Sequence, residues 1–320
     1  MPRSRFIAWC ACGLMIAAAG MVSAQGYPAK PIRFVTQAPG GGGDYALRII
    51  APGISGPLGQ PVLVENRPGN VAIPAELVAK AAPDGYTVIY VGSSLWISPL
   101  LQKTPYDPLR DFSPISLATS SPTLFVVHPS LPVKSIRELI ALARARPGAL
   151  NYASGGIGGA GHLAMELFNA MAGVKTVHVP YKSGGGAGLT DLLSGQLQIT
   201  VNNGPSLMPH IKAGKLRALA VTSARSSPLF PGLPAVAAVL PGYESAQMNV
   251  VFAPAKTPEA IVNRLNHEIV RFLKTPEAQE RFFNSGTEIV ASSPAELAAA
   301  MKADVARWGK VIKDAGIKAE

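Results

Sequence analysis

Residues 32–44 read Ile32-Arg33-Phe34-Val35-Thr36-Gln37-Ala38-Pro39-Gly40-Gly41-Gly42-Gly43-Asp44, and the helical stretch Tyr45–Ile54 follows. A short β-branched run, a glycine turn and a helix make up the opening of a strand–helix–strand unit. The same grammar recurs twice. Ser154-Gly155-Gly156-Ile157-Gly158-Gly159-Ala160-Gly161 leads into His162–Met171, and Val177–Val179 runs through Ser183-Gly184-Gly185-Gly186 into Leu189–Leu193. Glycine permits positive φ and lets a ligand approach the backbone closely. The first-turn amides of the helix that follows have no intrahelical partner and carry about half a positive charge. Three such turns in one chain point to a small anion held by backbone N–H groups.

Working outward, Val62–Glu65, Thr87–Val91, Leu124–His128, Leu216–Val221 and Val250–Ala253 also read as strands. Several are apolar on both faces, as strands are when helices cover both sides of a sheet. Ser135 with Glu138 and Ser293 with Glu296 match capping boxes, and Thr257-Pro258 and Thr275-Pro276 place a hydroxyl before a first-turn proline. Ile261, Leu265, Ile269 and Phe272 recur at helical spacing. The pattern is α/β, with mostly parallel strands and crossover helices. Prolines after Leu124–His128 and after Val250–Ala253 mark two places where the chain changes domain. The expected division is 25–124 with 254–320 as domain 1 and 125–253 as domain 2.

The chain has 320 residues, 48% hydrophobic and 15% charged, which excludes a disordered polymer. Arg3 and Arg5 precede an apolar run from Phe6 to Val22, and Val22-Ser23-Ala24 supplies small residues at signal-peptidase offsets. Residues 1–24 therefore read as a signal peptide cleaved after Ala24, and the destination as the periplasm. Both cysteines, Cys10 and Cys12, fall inside this segment. The formal charge of +10 is spread along the chain rather than gathered into a stripe, so no nucleic-acid partner is implied. No cofactor or metal is implied either. Neither G-x-G-x-x-G with its distant acidic partner nor a P-loop is present. No G-x-S-x-G elbow or H-E-x-x-H pair points to an enzyme.

Several side chains near the turns have two readings. Asp44 either contacts a ligand or caps its helix. His162 either faces a cleft or is satisfied by backbone, and Lys182, beside Tyr181, is either a ligand cation or a surface lysine. Ser93 and Trp96 follow a strand end, where ligands of open α/β sheets sit, with core packing as the alternative for Trp96.

The chain resembles the extracytoplasmic solute-binding proteins of tripartite tricarboxylate transporters, the Bug family, over nearly its whole mature length. The resemblance is carried by Tyr27-Pro28-Ala29-Lys30-Pro31-Ile32-Arg33, the Pro39–Asp44 turn, Val64-Glu65-Asn66-Arg67-Pro68-Gly69 and Ala82-Pro83-Asp84-Gly85-Tyr86-Thr87. Asn151-Tyr152-Ala153-Ser154, His178-Val179-Pro180-Tyr181-Lys182 and Pro209-His210-Ile211-Lys212-Ala213-Gly214 continue it. It implies a two-domain periplasmic-binding-protein fold with two interdomain crossovers, and a monomeric receptor that delivers a small carboxylate to membrane subunits. By the same carry-over, Pro39, Gly40, Gly41, Gly42, Gly43 and Asp44 form one clamp. Ser154, Gly155, Gly158, Gly161 and His162, with Tyr181, Lys182 and Gly184, form the other. Two rival roles share such a cleft: a sensor that docks on a membrane kinase, and a periplasmic hydrolase or lyase.

The chain departs from the family pattern where ligand identity is decided. Leu95-Trp96 stands where relatives carry His-Ala, Asn202 where an aspartate is common, and Asn70-Val71-Ala72-Ile73-Pro74 replaces a glycine-rich loop. These changes predict a pocket in which Trp96, Ile73 and Met248 hold an aromatic or otherwise apolar carboxylate, and in which Asn202 offers no charge to an ammonium.

Overall fold

The computed structural model describes residues 26–39, 42–156, 158–181 and 185–317. The first half runs β1 (Ile32–Thr36), α1 (Gly42–Leu58), β2 (Val62–Asn66), α2 (Ala72–Ala79), β3 (Thr87–Gly92), α3 (Ser94–Leu101) and β4 (Phe112–Val127). Next come α4 (Ile136–Ala145), β5 (Asn151–Ser154), α5 (Ala160–Ala172), β6 (Val177–Pro180), α6 (Gly185–Leu193), β7 (Ile199–Asn203), α7 (Gly204–Lys212) and β8 (Arg217–Val221). The chain ends with β9 (Ala246–Pro254), α8 (Glu259–Leu273), α9 (Pro276–Asn284), β10 (Glu288–Ile289) and α10 (Pro294–Ala315).

The strands follow the order β2-β1-β3-β9-β4-β7-β5-β6, with β8 and β10 also on β4. The βαβ units pair in parallel as expected: β1 with β2 and β3, and β5 with β6 and β7. The middle of the sheet is antiparallel, because β9 runs against both β3 and β4, and β4 runs against β7 and β8. Strand β4 serves two lobes. Phe112–Pro122 pairs with β9, and from Thr123 onward the strand pairs with β7. The chain thus crosses between lobes along β4 and returns on β9. The sequence indicates only the apolar end of β4, since Ser113–Thr123 is rich in hydroxyls and contains Pro114 and Pro122. Strands β5 and β7 were also unread; each has only a few apolar positions.

The caps differ in quality. Ser293 and Glu296 form a complete capping box, and the Thr275 hydroxyl accepts from Ala278 N at 3.2 Å. Ser135 accepts from Glu138 N at 3.2 Å, but Glu138 reaches back to Lys134 N at 2.7 Å, one residue beyond the box. Thr257 is not a cap. Its hydroxyl donates to Pro254 O at 2.7 Å, and Pro258 occupies the cap position without a side-chain bond.

Three apolar clusters stabilise the molecule. One underlies α1 and α8 in the first lobe, where Ile261, Leu265, Ile269 and Phe272 form the buried face predicted from their spacing. A second fills the outer side of the second lobe around Leu124, Leu192 and Leu207. The third is continuous through both lobes. It joins Val35, Ile89 and Trp96 to Phe125, Tyr152 and Phe168, and receives Leu297, Met301, Trp308 and Ile312 from α10. Just before α10, Ala291 is held at φ +53° while its amide donates to Ala118 O at 3.1 Å. An L-residue with a Cβ is strained there and glycine is not. Ala291→Gly is therefore expected to stabilise the protein by about 0.5–1 kcal/mol, read as a higher urea midpoint at unchanged m-value.

Candidate functional site between the lobes

Strand register places the glycine turns. In the first lobe Gly92, the last residue of β3, is level with Asn249 of β9, and Asn249 is level with Thr119 of β4. In the second lobe Asn203, the last residue of β7, is level with Thr123. The carboxyl ends of the two sets of parallel strands thus face each other across four residues of β4, about 13 Å at strand rise. The turns after β1, β5 and β6 all leave from these facing ends. This is the crevice in which open α/β sheets take their ligands.

On the first lobe, α1 begins at Gly42, and Gly43 lies over a polar floor. A Cβ there would stand 3.8 Å from Thr36 Oγ1 and 3.9 Å from Asn249 Oδ1. Beneath, Asn249 Nδ2 donates to Thr119 Oγ1 at 3.1 Å, and the Tyr90 hydroxyl lies 3.4 Å from the same oxygen. Thr36, Tyr90, Thr119 and Asn249 are all buried. Sequence reasoning passed over this floor because its members are single polar residues inside apolar strands; Asn249, directly before Val250–Ala253, was the available signal. Pro39 is exposed on the turn, while Gly40 and Gly41 lie outside the described residues. Ser93 sits at the start of α3, its amide donating to Met248 O at 3.2 Å, and so belongs to the same floor.

Asp44 is tied into its own lobe. Its buried carboxylate accepts from Arg48 Nε at 3.0 and 3.1 Å and from Asn66 Nδ2 at 2.8 Å. These bonds anchor the first turn of α1 to the end of β2. Trp96 is likewise withdrawn. It is fully buried in α3, edge-on to Phe252, and its indole N–H donates to Asp304 of α10 at 2.8 Å. Indole is large and carries one donor, so a buried carboxylate behind the sheet claims it. Met248 packs against the shared core, and Ile73, at the start of α2, is 48% exposed. Trp96 therefore does not line the apolar pocket expected from it together with Ile73 and Met248.

On the second lobe the β5–α5 turn is internally braced. Ser154 Oγ accepts from Gly156 N and donates to Gly156 O, each at 3.1 Å, and lies 2.6 Å from His178 Nε2. That third contact ties the turn to β6. Gly158, at φ +75°, gives its amide to His162 Nδ1 at 3.2 Å. That amide is thus committed within the turn rather than offered to a ligand, as is the Gly156 amide. Gly159 N closes the turn on Gly156 O at 3.2 Å. Gly155 is exposed at the turn's tip. Gly161 is required by packing: a Cβ there would meet Val201 O at 2.4 Å. The His178 ring stacks on Tyr152 at 4.9 Å and lies tilted against His162 at 4.3 Å. The Tyr152 hydroxyl donates to Glu166 Oε1 at 2.7 Å, and burial together with that carboxylate pushes its pKa up. Burial pushes His162 down to about 4, so its ring is neutral at pH 7.

Tyr181 donates its hydroxyl to Asp191, whose carboxylate holds the Tyr181 pKa up. Lys182 and Gly184 lie outside the described residues. Asn202 Oδ1 accepts from Asn203 N at 2.8 Å, and Asn203 caps α7 through Ser206 N at 3.2 Å. The second-lobe turn touches the first lobe, since a Cβ on Gly158 would lie 3.1 Å from Leu101 of α3. A separate open groove of about 750 Å³ runs along β2 and the second half of α1, lined by Arg48, Pro52, Ser55, Gly59 and Leu63. No polar groups from the two lobes converge there. Among the described residues, no three of His, Cys, Asp and Glu gather as metal ligands, and no helix is long and apolar enough to cross a membrane.

Residues 46–317 match the model of the tripartite tricarboxylate transporter family receptor. Protein BugT of Bordetella pertussis is 35% identical over 96% of this chain and 96% of its own length. Among solved structures, R. palustris Rpa4515 with adipate superposes with a TM-score of 0.83 at 38% identity, covering 91% of this chain and 99% of that one. The periplasmic binding protein BugD superposes with a TM-score of 0.80 at 31% identity, covering 92% and 100%. Both the sequence match and the two-lobed architecture lead to one conclusion: the chain belongs to the tripartite tricarboxylate transporter receptor family, whose members bind solutes rather than transform them.

Proposed function

We propose that this receptor captures a small organic carboxylate between its lobes in the periplasm and hands it to the membrane subunits of a tripartite transporter. The supporting observation is the facing of the strand ends, which brings the N-terminal turns of α1 and α5 to one crevice from opposite lobes. Neutral donors at helix starts suit a carboxylate, because each meets negative charge without a counter-ion that must be desolvated. The acidic groups near the crevice are engaged, Asp44 by Arg48 and Asn66 and Asp191 by Tyr181, which disfavours an α-ammonium guest. Adipate in the related R. palustris protein fits this chemistry. In this reading residues 1–24 are the export signal, the crossovers near 124 on β4 and at the entry to β9 divide the domains, and the ligand set is Gly42, Gly43, Ser93, the first turn of α5 and Asn202.

A thermal-shift panel at pH 7 tests the proposal. Straight-chain dicarboxylates are expected to raise the melting temperature by several degrees and neutral amides of the same length to leave it unchanged. Mass spectrometry of any small molecule that co-purifies should show a carboxylic acid. Stabilisation by amides or cations, with none by carboxylates, would count against the reading.

A further inference from the structure

Positive charge that is scattered in the sequence is gathered by the fold. Residues 125–253 carry ten lysines and arginines against four aspartates and glutamates, whereas 25–124 together with 254–320 carry seventeen against fifteen. Every ion pair among the described residues lies in the latter set, from Lys30–Asp84 to Arg307–Asp304. The excess cations of the second lobe are not neutralised by carboxylates of their own chain.

Strand register shows where they collect. Val127, at the end of β4, is level with Ile199 of β7 and Arg217 of β8, Ile199 is level with Tyr152 of β5, and Asn151 with Val177 of β6. This row is the end of the sheet opposite the crevice. Arg217 donates to Val133 O at 2.8 Å, beside Lys134, and Arg137 follows in the first turn of α4. Arg144 donates to Ala172 O at 2.7 Å and the Gly148 amide to Lys175 O at 2.8 Å, which brings Arg144, Arg146 and Lys175 together. Lys212 ends α7, and Lys215 N bonds back to His210 O at 2.9 Å just ahead of β8. All of these cations are exposed except Arg217, which is half-buried. Glu138 is the one acidic residue within 128–150, 171–177 and 210–217, and its carboxylate is held by Lys134 N. Met171 and Val177, on either side of Lys175 in the chain, are exposed apolar residues.

We propose that this pole of the second lobe docks on an anionic lipid membrane, with the crevice at the other end of the strands. The cations come from three separate stretches around the end of the sheet and line no groove, the groove described above being on the first lobe. A plane of headgroups accepts such a spread, and each lysine or arginine within its reach strengthens attachment about fivefold. Met171 and Val177 add apolar contact at the headgroup boundary. A second copy of the chain offers no compensating charge, since the rest of the molecule is itself slightly positive.

Co-sedimentation of the mature chain with vesicles of equal parts phosphatidylglycerol and phosphatidylcholine, against phosphatidylcholine alone, tests the inference. At low salt the anionic vesicles should carry the protein down and the neutral ones should not. Salt at about 1 M, where the Debye length is about 3 Å, should release it. Arg146→Glu combined with Lys175→Glu and Lys215→Glu should weaken attachment by about a hundredfold. Lys103→Glu with Lys274→Glu and Lys302→Glu, the same change in charge away from this pole, should weaken it by roughly tenfold at most. Equal losses in the two variants, or equal sedimentation with both kinds of vesicle, overturn the proposal. Capture by polyglutamate with none by anionic vesicles also overturns it, in favour of an acidic protein partner. Failure of every carboxylate in the thermal-shift panel sinks the receptor reading and leaves this surface standing. Should the Arg146, Lys175 and Lys215 variant fail to fold, the wild-type contrast between the two kinds of vesicle decides alone.

Discussion

Trp96→Ala is expected to destabilise the protein by about 4 kcal/mol, since truncating a buried tryptophan removes a large apolar area and leaves a cavity. In a two-lobed chain of this size that corresponds to a fall of roughly 10 °C in melting temperature. Part of the loss is polar, because Asp304 Oδ2 loses the indole donor and keeps only its Oδ1 bond to Arg307 at 2.6 Å. Trp96→Phe separates the two contributions. It keeps most of the packing and should cost about 1–3 kcal/mol. A tryptophan lining the ligand crevice would behave in the opposite way, with affinity lost and melting temperature almost unchanged. Thermal unfolding and carboxylate titration on the same two variants therefore check the burial of this ring directly.

The second large effect is on acid stability. His162 titrates near 6.5 when unfolded and near 4 when folded, because burial penalises the charged ring. As pH falls through this window the unfolded chain takes up its proton first, so stability is full above about 6.5 and is lost progressively toward 4. The loss amounts to about 3 kcal/mol. The groups near the ring are His178, with Tyr152 stacked beyond it and Glu166 hydrogen-bonded to that tyrosine. Urea unfolding at intervals from pH 7 to 4 should show the decline in the wild type and a shallower one in His162→Leu. Parallel declines in the two proteins would place the acid sensitivity elsewhere.

The sequence disclosed the parts whose signals are local. Strand, glycine turn and helix were readable at β1, at β6 and at the entry to α5, because φ requirements and apolar periodicity lie within a few residues. The buried face of α8 was readable for the same reason. What escaped was decided by long-range pairing. Ser113–Thr123 has the composition of a loop, and only β9 on one side and β7 further along make it a strand. The site shows the same division. The turns were placed, but the partners of their side chains were not, since Asp44 answers to Asn66 and Trp96 to Asp304 across distances no local pattern encodes. The polar floor of Thr36, Thr119 and Asn249 comes from three separate strands and is visible only once register is known.

The apolar cluster that threads both lobes makes the molecule one-sided. Along the flank covered by α10, the halves share Phe125, Phe252, Trp96 and Trp308 as common interior, and that helix contacts α3, α5 and β4. Parting the halves there would bring oily surface into water, a penalty of about 25 cal/mol for each Å². Parting of the halves is therefore expected to hinge on the carboxyl-terminal helix rather than to open along its flank.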